Sequence, residues 1–319
     1  MDLVRTTFLG PIGSFSHQAA VEAFGTAAEL FPRPSFADAF TAVQHEDADY
    51  AIIPVENSTN GSVVQTLDLL ADPEGTYKDV QVCGEHYLTV HHCLLARKGV
   101  IPQGQHDYSS ITKLYTHPQA WGQCENFLQK HFKGVERQDV SSTSKGAEIV
   151  AKATDERSAA IASRFAAETV GLEVVEENIE DNSDNTTRFL VLRNIRSKRT
   201  SPTSFDDIRA SQKHQTQSQP PSTDAKEKSL VTFMLRDDAP GALADALLVF
   251  KQHGLNLTSI NSRPSQKVAW KYVFLVECRG VPSDGDEGAA AKVGADLKRV
   301  TEACRYWGTW TNRLGPDGR

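Results

Sequence analysis

Short apolar runs alternate with stretches of helical spacing from residue 4 to residue 192, and that alternation leaves few folds open. The first run, residues 4–9, passes into Gly10-Pro11-Ile12-Gly13 and then into helical spacing over 16–24. The unit recurs. Ser35 is a cap candidate before a helical pattern over 36–43, and 50–53 reads as a short buried strand ending at Pro54. Further on, the pattern predicts helices over 62–70, 118–131 and 142–153, the second with proline in its first turn. Strands are predicted over 88–96, 111–115, 159–162 and 188–192. Such alternation predicts an α/β fold with largely parallel sheets, whose ligands bind beyond the strand ends, near helix N-termini.

Residues 196–228 break the pattern. They hold seven Lys/Arg and four Asp/Glu among many Ser, Thr, Gln and Pro, with Phe205 and Ile208 as the large apolar residues. Little surface is there to bury against the entropy of ordering, so a disordered linker is expected. Beyond it, strands over 230–235, 255–260, 269–276 and 305–310 interleave with helices over 240–253 and 289–303. That order, β-α-β-β-α-β, is ferredoxin-like. The chain therefore divides into 1–195, the linker 196–228, and 229–319.

Charge narrows the partners. Residues 1–195 carry 15 Lys/Arg against 27 Asp/Glu, which argues against nucleic acid, whose phosphates call for clustered cations. An anionic ligand would gain nothing from long-range steering, so the site must supply local donors. No window is apolar enough for a membrane span, and no basic segment leads an apolar run at the N-terminus. The five cysteines are odd in number and widely spaced, as in a reducing compartment. A cytoplasmic protein with no membrane partner is expected.

Four polar strings sit where ligands could be met: Gly10 to Ala19 with Ser14, Ser16 and His17; Pro54-Val55-Glu56-Asn57-Ser58 with Gly61; Thr116-His117-Pro118-Gln119 with Gln123; and Asn185-Thr186-Thr187-Arg188-Phe189. The first three lie at strand-to-helix turns. The fourth opens a strand, so it must reach a cleft from an antiparallel or crossing segment. Read singly, three of them have a bland account: a strand start with a solvated Arg, a turn with capping residues, a Thr before proline at a helix start. Ser142 and Thr143 open another helix and offer a further hydroxyl-lined N-terminus for an anion.

Together the four strings resemble the signatures of the prephenate dehydratase family, and Gly241-Ala242-Leu243 with Asn261-Ser262-Arg263-Pro264 resembles its phenylalanine-binding ACT domain. The resemblance implies two α/β lobes around a cleft, similar to type II periplasmic binding proteins, followed by the ACT domain. It implies conversion of prephenate to phenylpyruvate, water and carbon dioxide. It puts an essential hydroxyl at Thr187, as acid or as orienting donor, and a carboxylate partner at Arg188. Glu56, Asn57, Thr116, Gln119 and Gln123 join them as catalytic candidates, Glu56 as an acid or as a loop anchor. Substrate contacts fall to Ser14, Ser16, Ser58, His117, Ser142, Thr143 and Phe189, with His117 weighed as a structural cap. No metal, nucleotide or redox cofactor is implied, and the chain has no P-loop, G-x-G-x-x-G or H-E-x-x-H string. L-phenylalanine is the expected inhibitor, bound between paired ACT domains of a homodimer or homotetramer, although Asn261 stands where the family pattern has Glu. Alternatives are an arogenate dehydratase and a non-catalytic amino-acid sensor.

Overall fold

The computed structural model describes residues 3–101, 107–153, 157–200, 204–212, 227–236, 240–279 and 287–314. A first lobe is built from β1 (Val4–Leu9), α1 (Phe15–Phe24), β2 (Ala28–Arg33), α2 (Phe36–Gln44), β3 (Tyr50–Asn57), β4 (Gly61–Ser62), α3 (Val64–Ala71) and β5 (Val80–Thr89). The chain then crosses to a second lobe of β6 (Cys93–Ala96), β7 (Lys113–Thr116), α4 (Pro118–Gln123), α5 (Glu125–His131), β8 (Glu136–Asp139), α6 (Thr143–Lys152), β9 (Ser158–Ala162), α7 (Arg164–Val170) and β10 (Glu173–Glu176). It returns as β11 (Thr186–Asn194).

Sheet order is β2-β1-β3-β11-β5 in the first lobe and β10-β6-β9-β7-β8 in the second. Strand β1 is parallel to β2 and β3, and β7 is parallel to β8 and β9. Strand β11 lies antiparallel between β3 and β5, the geometry its string required. The two crossings pair with each other beneath the lobes: Val90 N–H donates to Asn185 O at 2.7 Å, and Ile179 N–H to His92 O at 2.9 Å. These crossings explain one departure from the sequence pattern. The single strand expected over 88–96 is two strands in different sheets, because Val90-His91-His92 is where the chain changes lobes. The helix expected over 118–131 is likewise broken, at Cys124.

The final domain contains β12 (Glu227–Met234), α9 (Ala242–Gln252), β13 (Asn256–Pro264), β14 (Tyr272–Arg279), α10 (Glu287–Val300) and β15 (Ala303–Thr311), in sheet order β13-β14-β12-β15. This is the β-α-β-β-α-β order read from the sequence. One face of its sheet packs Phe233, Val276 and Cys278 against Ala246, Phe250 and Leu297 of its helices. The other face sets Leu230, Leu275, Trp307 and Trp310 into one core with Val55, Leu67 and Val82 of the first lobe. Contact there is close enough to demand a glycine: a Cβ on Gly308 would stand 2.2 Å from Val82 O.

The linker expectation fails over residues 196–200 and 204–212. Residues 205–212 form a helix, α8 (Phe205–Gln212), numbered here after β11. Phe205 is 2% exposed and sits 5.2 Å from the Phe24 ring, over Gly84, where a Cβ would meet its ring at 2.3 Å. Ile208 shares that core. Arg199 pairs with Asp49, and Asp206 accepts from Thr311 Oγ1 at 2.6 Å and pairs with Arg313. Two apolar side chains with a prepared slot suffice to dock two turns of helix, whatever the composition around them. Residues 201–203 and 213–226 of the expected linker lie outside the described residues. Phe205→Ala should therefore lower stability by about 3–5 kcal/mol in denaturant unfolding. A change within about 0.5 kcal/mol, the tolerance of an unpacked surface position, would restore the disordered linker.

Candidate active site

Strand β11 is bonded on both edges, so the pleat decides where each of its side chains points. Phe189 and Val191 fall on the α1 face, in the core of Phe8, Ala20, Phe24 and Tyr50. Leu190 and Leu192 fall on the opposite face, toward α2, α3 and the final domain. By the same alternation Thr187 shares the α1 face and Arg188 does not. Phe189 is 1% exposed and fills the core, so the substrate contact expected of it is corrected to packing.

Thr187 stands opposite Asn57 across the β3–β11 ladder. Asn57 is held by its own loop, where its Oδ1 accepts from the N–H groups of Thr59 at 3.0 Å and Asn60 at 2.9 Å. Its Nδ2 then donates to Asn185 Oδ1 at 2.8 Å, to Thr187 Oγ1 at 3.0 Å and to Thr186 O at 3.3 Å. Ser58, expected at the substrate, instead pins the strand entrance: its Oγ accepts from Thr186 N–H at 2.9 Å and donates to Asp184 O at 3.4 Å.

Arg188 is 7% exposed and is not free for a ligand carboxylate. Its Nε donates to Glu85 Oε2 at 2.9 Å, and its Nη1 donates to Glu277 Oε1 of β14 at 2.9 Å. Burial opposes the charge, but the Glu277 and Glu85 carboxylates outweigh it and hold the guanidinium protonated well beyond its ordinary range. Lys228 of β12 joins the cluster, 3.4 Å from Glu85 Oε2 and 3.1 Å from the Tyr87 hydroxyl. Burial pushes the Glu85 carboxyl up, and Arg188 and Lys228 together pull it below the usual range. Glu56 is exposed on this same face, 4.0 Å from Arg188 Nη1, and so is not brought to Thr187. Arg188 and Glu56 are both placed at the contact between domains, away from the Thr187 hydroxyl.

In the second lobe, Thr116 is fully buried and its Oγ1 donates to Ile161 O at 2.6 Å, which ties β7 to β9 and commits its proton. His117 caps α4, its Nδ1 accepting from Gln119 N–H at 3.3 Å, and burial lowers its pKa, so the structural reading of this histidine fits. Gln119 is exposed at the helix start, while Gln123 Oε1 meets His92 Nε2 at 2.7 Å. Ser142 caps α6 by accepting from Lys145 N–H, and Thr143 follows it half-buried. In the first lobe, Ser14 caps α1 and donates to Leu9 O at 3.1 Å, and Ser16 is buried behind it. His17, stacked on Phe8 at 4.7 Å, meets Phe165 of α7 edge-on at 5.0 Å, so this turn reaches the second lobe. Gly13 approaches Ala166, Thr169 and Ser144 there.

A family model described as prephenate dehydratase matches residues 6–197. The chain belongs to the prephenate dehydratase family. It is 34% identical over 343 residues to a probable prephenate dehydratase of Saccharomyces cerevisiae, covering 96% of each chain. It is 35% identical over 311 residues to a bifunctional chorismate mutase/prephenate dehydratase of Aquifex aeolicus, covering 98% of this chain and 74% of that one. A solved prephenate dehydratase of Arthrobacter aurescens in complex with L-Phe aligns with a TM-score of 0.76 at 29% identity, covering 97% of this chain and 90% of that one.

In the final domain, Gly241 starts α9 with φ at 85°, Ala242 is buried and Leu243 half-buried. Asn261 accepts from Ser62 Oγ at 3.2 Å and Arg263 pairs with Asp68, so these two face the first lobe, while Ser262 and Pro264 are exposed. Glu85, Glu277 and Lys228 were not singled out in the sequence. The available signal was a charged residue inside each apolar strand. Arg188→Leu should destabilise the protein by about 3–5 kcal/mol, because it leaves two buried carboxylates with too few partners. A loss below about 1 kcal/mol in denaturant unfolding would return Arg188 to a solvated role.

Proposed function

We infer that the chain is a prephenate dehydratase, which turns prephenate into phenylpyruvate with release of water and carbon dioxide. The ring carboxylate leaves as carbon dioxide, its carbon–carbon bonding pair moves into the ring, and the C–O bond to the ring hydroxyl breaks as the ring becomes aromatic, the departing hydroxide taking one proton from solvent to leave as water. Aromatisation supplies the driving force. The protein has to hold the dianion and stabilise the charge gathering on the departing oxygen.

The observation that carries the site reading is the hydrogen bond from Asn57 Nδ2 to Thr187 Oγ1 at 3.0 Å. It occupies a lone pair of the hydroxyl and leaves its single proton for another acceptor. In this reading that acceptor is the departing oxygen, whose hydrogen bond strengthens as it takes up charge. Thr187 is thus an orienting donor, with Asn57 fixing its direction. Gln119, Ser142 and Thr143 lie at helix starts suited to a carboxylate, and His117, Ser14, Ser58 and Thr116 support the walls.

The final domain is read as regulatory. L-Phe is the ligand of the Arthrobacter aurescens relative, and we extend it to this chain as an inhibitor held near Gly241, Ala242, Leu243 and Asn261-Ser262-Arg263-Pro264 of paired ACT domains in a homodimer or homotetramer. Its effect would reach the cleft through Glu277 and Arg188, one residue from Thr187. The catalytic unit is taken as 1–195 together with the docked helix α8.

Purified protein should form phenylpyruvate from prephenate, faster than it consumes arogenate, and lose turnover in millimolar L-phenylalanine. Thr187→Ala should lower kcat by at least about 100-fold, with stability changed by less than about 1 kcal/mol. Thr187→Ser should keep much of the activity. Near-normal turnover in the alanine variant would remove Thr187 from the mechanism, and wild-type protein inert toward prephenate would remove the activity itself.

A further inference from the structure

Asn185 sits two residues before Thr187, where the second crossing enters β11, and is 1% exposed. Its Oδ1 accepts from Asn57 Nδ2 at 2.8 Å and from Thr59 Oγ1 at 3.3 Å. Its Nδ2, buried with it, has no hydrogen-bond partner among the described residues. Swapping the two ends of the amide would not satisfy it. Asn57 is oriented by the backbone donors of Thr59 and Asn60, so it must present Nδ2 to Asn185, and Asn185 must answer with Oδ1. An amide donor is thereby locked in place and unmet, a state that native proteins seldom carry without a reason.

The location supplies the reason. Asn185 Oδ1 and Thr187 Oγ1 both lie within 3.0 Å of a single nitrogen, Asn57 Nδ2. The Asn185 amide and the Thr187 hydroxyl are thereby neighbours around Asn57. The need is also clear, since Arg188 is committed to Glu85 and Glu277 and cannot serve an anion in the cleft. We propose that Asn185 is a substrate-binding residue, whose Nδ2 donates to a carboxylate oxygen of the bound substrate beside Thr187. The proposal rests on the prephenate dehydratase reading and names a donor for the dianion that the four sequence strings left without a role. Because Asn185 is buried, the proposed contact requires the lobes to part, with the two paired crossings as the place where such a motion would hinge.

Asn185→Asp tests the contact cleanly, because it keeps the oxygen that Asn57 and Thr59 use and replaces the donor alone. At pH 7.5 its kcat/KM for prephenate should fall by at least about 100-fold, the consequence of setting like charge against a carboxylate. Lowering the pH should restore activity relative to the wild-type profile, since the protonated Asp side chain is again a donor and burial raises the pH at which it protonates. Wild-type kcat/KM in the Asp variant across the pH range would overturn the proposal and point to a neutral hydroxyl partner, which could donate to Asp. If Asn185→Asp does not fold, Asn185→Ala takes its place and should raise KM by about tenfold or more. A loss confined to kcat would instead assign Asn185 to holding Asn57 and overturn the contact. Turnover of prephenate by the wild type, measured in the same series, separates failure of this inference from failure of the activity.

Discussion

Strand β11 is fixed by ladders on both sides, to β3 and to β5, and cannot turn its side chains away from the faces that the pleat allots. That constraint divides two neighbouring residues between two tasks. Thr187 goes to the α1 face, where Asn57 Nδ2 donates both to its hydroxyl and to Asn185 Oδ1. Arg188 goes to the opposite face, where it meets Glu85 and, from the final domain, Glu277. The same backbone thus carries the candidate reacting hydroxyl and the main ionic contact between domains.

The ionic contact is worth weighing. Four charges lie together with little solvent: Arg188 and Lys228 against Glu85 and Glu277, with Arg313 N–H also donating to Glu85 Oε1 at 2.7 Å. Taking charges out of water is expensive, and pairing offsets it only when the remaining hydrogen bonds are made. The cluster is therefore a poor source of stability and a strong source of position. The surrounding apolar contact, Leu230, Leu275, Trp307 and Trp310 on Val55, Leu67 and Val82, supplies the burial that holds the domains together. Removing one charge strands the others, which ties the placement of the final domain to the strand that carries Thr187.

Much of the fold was legible because it depends on local pattern. The alternation of strands and helices and the ferredoxin-like order of the final domain follow from periodicity and turn residues, whereas the largely parallel sheets expected are mixed, with β6 antiparallel to β9 and β10 and β11 antiparallel to β3 and β5. The site was legible where neighbours in sequence are neighbours in space, as for Asn57 in its loop. It was illegible where partners are remote: Arg188 meets Glu85 across 103 residues and Glu277 across 89. Strand alternation alone, applied to Thr187 and Arg188, would have kept them from sharing a ligand. Composition misled over 204–212 for a different reason, since it averages over a segment while docking needs only Phe205, Ile208 and the gap above Gly84.

The division of β11 is tested most directly by a crystal structure of the Thr187→Ala protein soaked with prephenate. The ligand should lie on the α1 face of β11, within hydrogen-bond reach of the Asn57 and Asn185 amides, with Arg188 still paired to Glu85 and Glu277. A prephenate carboxylate seated on the Arg188 guanidinium, with either glutamate displaced, would contradict the account.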